Sequence, residues 1–192
     1  KKIISNNFFS KKKLFQKLNI KKDYNIPLTK ILKLIKIPIK RIKSNNNDLI
    51  IHIRSGDVFT YQPHAGFYQP PLNYYKKIIN LKKWDNIRII AQDNNNPVIP
   101  ELIKLYPNIK LKFQTLIEDI SYIIGSKNIC FGKGSFISSL LLFNSNLVNI
   151  YYPEYCERYI NDYLDCNKTI TKLPNYIKIW KNTIEQKKIM LT

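Results

Sequence analysis

The stretch Leu49-Ile50-Ile51-His52-Ile53-Arg54-Ser55-Gly56-Asp57 joins a run of apolar residues to a short polar turn. Leu49–Arg54 reads as a buried strand, because its apolar positions are nearly continuous, as in parallel sheets covered on both faces. Gly56-Asp57 is the chemistry of a strand-to-loop turn. Toward the C-terminus the same unit recurs. Pro70–Lys82 opens on proline and sets Leu72, Tyr75, Ile78 and Ile79 at helical spacing. Ile87–Ala91 reads as a second strand, Val98–Tyr106 as a helix, Ile109–Phe113 as a third strand, and Ile117–Gly125 as a helix closed by glycine. Asn128–Phe131 and Leu147–Tyr151 supply two further strands around a helix at Phe136–Phe143. Strands alternating with helices at this spacing predict an α/β domain over 49–154, a parallel sheet with right-handed crossovers and flanking helices. Residues 155–192 read as a helical segment that returns across it.

Upstream, residues 1–48 are rich in lysine and asparagine and partly helical in pattern. Leu28, Ile31, Leu32 and Ile35 fall on one helical face of a basic stretch. That face suits peripheral contact with a membrane surface or a partner, or packing on its own domain. Ser44–Asp48 then reads as a loop and boundary.

The chain has 192 residues, 44% of them hydrophobic, with a net charge of +19 and a pI near 9.8. Such a composition buries a real core and excludes wholesale disorder. The charge points to a polyanionic partner: nucleic acid, an anionic membrane or a phosphorylated ligand. Yet only four of the 32 basic residues are arginine (Arg41, Arg54, Arg88, Arg158), and Asn and Ile are abundant too. This is what an AT-rich coding sequence yields without selection for a basic surface. Where arginine is scarce, one inside a motif stands out, because its planar five-donor fork suits phosphate as lysine does not. Cys130, Cys156 and Cys166 lack zinc spacing; a Cys156–Cys166 bridge or unpaired thiols in a reducing compartment are the alternatives. No apolar run approaches the roughly 18 residues that span a bilayer, and no signal peptide is visible. The sequence leaves the compartment open, cytoplasmic or Golgi-type lumenal if the chain, which opens on Lys1, is a fragment of a larger protein.

In open parallel sheets, ligands bind beyond the carboxyl ends of the strands. The loops there are Arg54-Ser55-Gly56-Asp57, Gln92-Asp93 and Gly132-Lys133-Gly134-Ser135. An arginine, carboxylates, close glycines and a hydroxyl at a helix start together suit a sugar nucleotide. P-loop spacing is absent around Gly132-Lys133, and no GxGxxG follows a predicted strand, so neither a P-loop NTPase nor a dinucleotide-binding oxidoreductase fits.

His52-Ile53-Arg54-Ser55-Gly56-Asp57 resembles the HxRxGD motif of GDP-fucose-dependent fucosyltransferases, the α1,2, α1,6 and protein O-fucosyltransferase groups. The resemblance extends to Gln92-Asp93, to Asp119 ahead of the fourth strand, and to Gly134-Ser135-Phe136-Ile137-Ser138, in order over roughly residues 49–152. It implies the Rossmann-like C-terminal half of a GT-B glycosyltransferase that transfers fucose from GDP-fucose to a glycan or protein hydroxyl, inverting the anomeric centre without a metal. It also implies residue roles. Arg54 contacts the β-phosphate, His52 lines the nucleotide pocket with Gly56, and Asp93 and Asp119 recognise ribose or guanine. Gly134, Ser135, Phe136 and Ser138 hold phosphate through hydroxyls and backbone N–H groups.

Blander roles stand beside these. His52 fits an inward strand histidine, Asp93 a solvated loop, Asp119 a helix support, Ser135 an N-cap, and Phe67–Pro71 a rigid connector. One departure is chemical: residues 58–69 carry no Asp or Glu, which leaves Asp57, His64 or a group on another domain as the base. Another is architectural, since residues 1–48 are short for an acceptor domain and read as its remnant. A basic nucleic-acid module and a non-catalytic relative that binds a nucleotide sugar are the alternatives.

Overall fold

All five predicted strands form, and a sixth joins them. In the computed structural model the order is β1 (Asp48–His52), α1 (Leu72–Ile79), β2 (Asn86–Ile90), α2 (Val98–Leu105), β3 (Ile109–Leu111), α3 (Leu116–Gly125), β4 (Asn128–Phe131), α4 (Ser135–Leu141), β5 (Asn149–Pro153), β6 (Asn167–Thr171) and α5 (Ile184–Met190). The structure describes residues 38–160, 164–173 and 179–192, so the amphipathic stretch at 28–36 lies outside the described residues. Ile39–Thr192 forms one unit. The sheet domain thus takes in residues ahead of β1: Ile42 and Ser44 donate backbone N–H groups to the carbonyls of Ser121 and Gly125.

The strands pair in the order β3-β2-β1-β4-β5-β6, every neighbouring pair parallel. This is a doubly wound, Rossmann-like α/β sheet whose order reverses between β1 and β4. β6 corrects the reading of residues 155–192 as helical. Only its last residue, Thr171, is buried, so an edge strand of this kind carries no apolar run to reveal it.

Strand side chains alternate between two cores. Leu49, Ile51, Ile87, Ile89, Cys130 and Tyr151 pack under α1, α2 and the C-terminal segment with Trp180 and Met190. Ile50, Ile90, Ile129, Phe131, Ile150 and Tyr152 pack against Ile123 of α3 and Ile137 and Leu141 of α4. Helices on both faces satisfy the apolar strands, as a parallel sheet requires. Tyr74 of α1 is buried, and its hydroxyl lies 2.9 Å from both the Phe131 and Tyr151 carbonyls, tying α1 to the carboxyl end of β4 and the middle of β5. A polar ladder sets register at the opposite, amino edge. Asn86 donates to Asp48, Asn128 to the Asp48 carbonyl, Asn149 to Asn128 and Asn167 to Asn149, at 2.6–3.0 Å.

Candidate functional site

The reversal between β1 and β4 opens a crevice at their carboxyl ends, because the chain leaves the two strands toward opposite faces. Arg54 stands there, two residues past β1. Its Nε and Nη2 donate to the two carboxylate oxygens of Asp57 at 3.2 and 2.7 Å, and its guanidinium stacks 4.0 Å from the Phe67 ring centroid. Asp57 is far more exposed than Arg54, 67% against 22% of the side chain, so solvent weakens the pair energetically while its two contacts still fix the fork. Nη1 is left over. It lies 3.6 Å from the place a Cβ on Gly134 would take, and therefore reaches across the crevice to the turn that follows β4.

The β2 loop builds the β1 loop from beneath. Oδ1 of Asp93 accepts from the Ser55 hydroxyl, from the Gly56 N–H at 3.2 Å and from the Asn95 N–H at 2.9 Å. Burial would raise the Asp93 carboxyl, but these hydrogen bonds outweigh it and hold the group below its ordinary value. Buried Asn96 adds two ties, its N–H donating to Ser55 Oγ and its Nδ2 to the Arg54 carbonyl. Gly56 sits at φ +61°, and a methyl there would lie 2.5 Å from Gln92 Oε1; glycine lets the turn close. Asn96 was not singled out by sequence. The third asparagine of a run before Pro97 looks solvated, and only the fold shows that it is buried.

Across the crevice, the β4 turn is seated on the connector after the motif. The buried Gln69 amide donates to the Phe67 and Lys133 carbonyls, and a Cβ on Gly132 would lie 2.5 Å from Pro70 Cδ. Phe67–Pro71 is thus a packed support for both loops. Gly134, not Ser135, is the N-cap of α4, and no side chain caps the helix. Ser135 and Phe136 are exposed, and the Ser138 hydroxyl donates back to the Gly134 carbonyl at 3.1 Å.

His52 reaches the same face from β1, with its ring 5.7 Å from that of Phe136. Burial first, and the Arg54 charge second, lower its pKa to about 4, which keeps the imidazole neutral near pH 7. Asp119 occupies the first turn of α3, whose start follows the carboxyl end of β3, and accepts from Gln114 at 3.1 Å. Burial, aided by neighbouring Glu118, raises its pKa despite that bond. The structure therefore brings Arg54, His52, Gly134, Ser135 and Phe136 together, and sets Asp93 beneath them as a clamp. Asp119 stands at the β3 side. His64 is exposed on the loop after the motif, and its Nδ1 accepts from the Gly66 N–H at 3.1 Å. Asp57 retains carboxylate lone pairs beside Arg54.

The C-terminal segment pins the far side of this loop. Trp180 is buried; its indole N–H donates to the Val58 carbonyl, its backbone N–H to Ala65, and its ring meets Phe59 edge-on at 5.4 Å. All three cysteines are free in the structure. Among the described residues, no cluster of His, Cys, Asp and Glu could hold a metal ion, and no helix is long and apolar enough to cross a membrane. No protein-family model, curated protein or solved structure matches the chain.

Proposed function

We propose that the β1/β4 crevice binds the diphosphate of a nucleotide sugar and that the domain serves glycosyl transfer. The observation that carries this is Arg54. Asp57 and Phe67 orient its fork, and Nη1 is left open at the topological reversal beside Gly134. In this reading two phosphate oxygens meet the open edge of the guanidinium, while Ser135 Oγ and the uncapped first-turn N–H groups of α4 approach from the β4 side. A neutral His52 with Phe136 provides an uncharged wall for the nucleoside. GDP-fucose as donor, and a glycan or protein hydroxyl as acceptor, follow from the likeness of His52–Asp57, Asp93, Asp119 and Gly134–Ser138 to the fucosyltransferase motifs.

The chemistry such a site contributes is mainly electrostatic. As a base takes the acceptor hydroxyl's proton (Asp57, His64 or a group on another domain), the acceptor oxygen bonds to the anomeric carbon, the bond to the diphosphate breaks and negative charge gathers on the leaving group. Arg54 is placed to stabilise that charge more strongly in the transition state than in the ground state. A thermal-shift panel of GDP, ADP, UDP and GDP-fucose tests the reading. A nucleotide at 100 times its Kd stabilises the fold by about 2.7 kcal/mol, so GDP and GDP-fucose should raise the melting temperature above the others. A flat panel would remove the proposal.

A further inference from the structure

Beside the crevice, on the β4–β5 side, lies a cavity of about 660 Å³ lined by Tyr68, Lys133, Glu154, Tyr155, Glu157, Arg158 and Ile160. Its unusual member is Lys133, only 6% exposed. Among the described residues its ammonium has no carboxylate in ion-pair contact. It lies instead over the Tyr68 ring at 4.5 Å and the Tyr155 ring at 5.9 Å. Two aromatic faces stabilise a cation without neutralising it. Burial, and then the Arg158 charge, lower its pKa. A buried ammonium that no described residue neutralises costs stability, and a bound anion would offset that cost.

The surroundings indicate what. Phe67 and Tyr68 are consecutive and each carries a cation, Arg54 on Phe67 and Lys133 on Tyr68. Gly134, next to Lys133, is the residue that faces Arg54. The cavity is thus one residue removed from the diphosphate crevice on both supporting segments. Its walls combine Tyr68 and Tyr155, edge-to-face at 4.6 Å, with carboxylates. Glu154 is held by the Leu173 N–H at 3.2 Å. Tyrosine rings with the held Glu154 carboxylate suit the apolar faces and hydroxyl groups of a sugar, and Lys133 adds a site for an oxyanion.

We propose that this cavity is an acceptor-side subsite for an acidic saccharide, with Lys133 pairing with the sugar's carboxylate or phosphate group. The inference rests on the glycosyl-transfer reading for the word acceptor; the preference for an acidic sugar rests on the cavity alone.

The test uses the intact protein, titrated with glucuronate, glucose 6-phosphate, glucose and inorganic phosphate and followed by amide chemical shifts. Glucuronate and glucose 6-phosphate should bind saturably, at least tenfold more tightly than glucose or phosphate. Lys133→Met keeps the stem that packs on Tyr68. It should abolish the preference and raise the melting temperature by about 2–4 °C, whereas a lysine kept for structure would lower it on removal. Lys133→Arg should retain the preference. Equal binding of glucose and glucuronate, phosphate binding as tightly as glucose 6-phosphate, or a preference that survives Lys133→Met would each overturn the proposal. A separate GDP titration divides the two ideas. Acidic-sugar binding without GDP binding would uphold the subsite and refute the donor site; GDP binding without the acidic-sugar preference would overturn the subsite and leave the donor site standing.

Discussion

Asp93→Asn separates a clamp from a ligand contact at the motif's partner loop. One oxygen of Asp93 accepts three donors, two of them from the Arg54 loop. Hydrogen bonds to a charged acceptor contribute roughly 1.5–3 kcal/mol each, against roughly 0.5–1.5 for neutral pairs. The three share one atom and are not additive, so exchanging carboxylate for amide should cost about 2 kcal/mol. Urea unfolding at pH 7 reads this as a lower midpoint at unchanged slope. The pH dependence gives a second check. The folded pKa of Asp93 lies below its ordinary 3.8, so its contribution is complete above that value and is lost as pH falls through the folded pKa. The gap between wild type and variant should therefore be constant above pH 3.8 and narrow as the pH falls below it. A loss below 0.5 kcal/mol at pH 7, together with a large loss of GDP affinity, would refute the clamp and make Asp93 a direct donor contact.

The pKa of His52 is lowered from 6.5 to about 4, so between these values the unfolded chain takes up a proton that the folded protein refuses. Stability should be complete above pH 6.5 and fall by roughly 3 kcal/mol by pH 4, with His52→Gln flattening that part of a denaturation-against-pH curve. Trp180→Ala opens a cavity at the support of the 56–66 loop and should cost about 3–5 kcal/mol in chemical denaturation. Trp180→Phe removes chiefly the bond to the Val58 carbonyl and should cost about 1 kcal/mol.

The sheet was legible because its strands are apolar throughout and its helices periodic: β4 spans the predicted Asn128–Phe131, and α2 and α3 shift by a residue at one end. β6 was not, because four of its five residues are exposed and offer no alternation. Asparagine misled in another way. Its abundance suits a compositional bias, yet Asn86, Asn128, Asn149 and Asn167 form the amino-edge ladder and Asn96 braces the motif. Those roles depend on strand order, which no local pattern carries. At the site, Arg54 and the β4 turn were readable because strand ends alone nominate them. The cation at Lys133 was hidden among 28 lysines, and only burial over two tyrosines distinguishes it.

The central claim concerns the open edge of Arg54, and calorimetric titration of GDP into wild type and Arg54→Ala tests it most directly. The ion pair with exposed Asp57 contributes little to stability and the stack on Phe67 about 0.5–1 kcal/mol, so the variant should fold with only a slightly lower unfolding midpoint. A charged phosphate contact contributes roughly 1.5–3 kcal/mol, so GDP affinity should fall by about ten- to a hundredfold. Equal GDP affinity in the two proteins, both folded, would contradict a diphosphate site at the β1/β4 crevice.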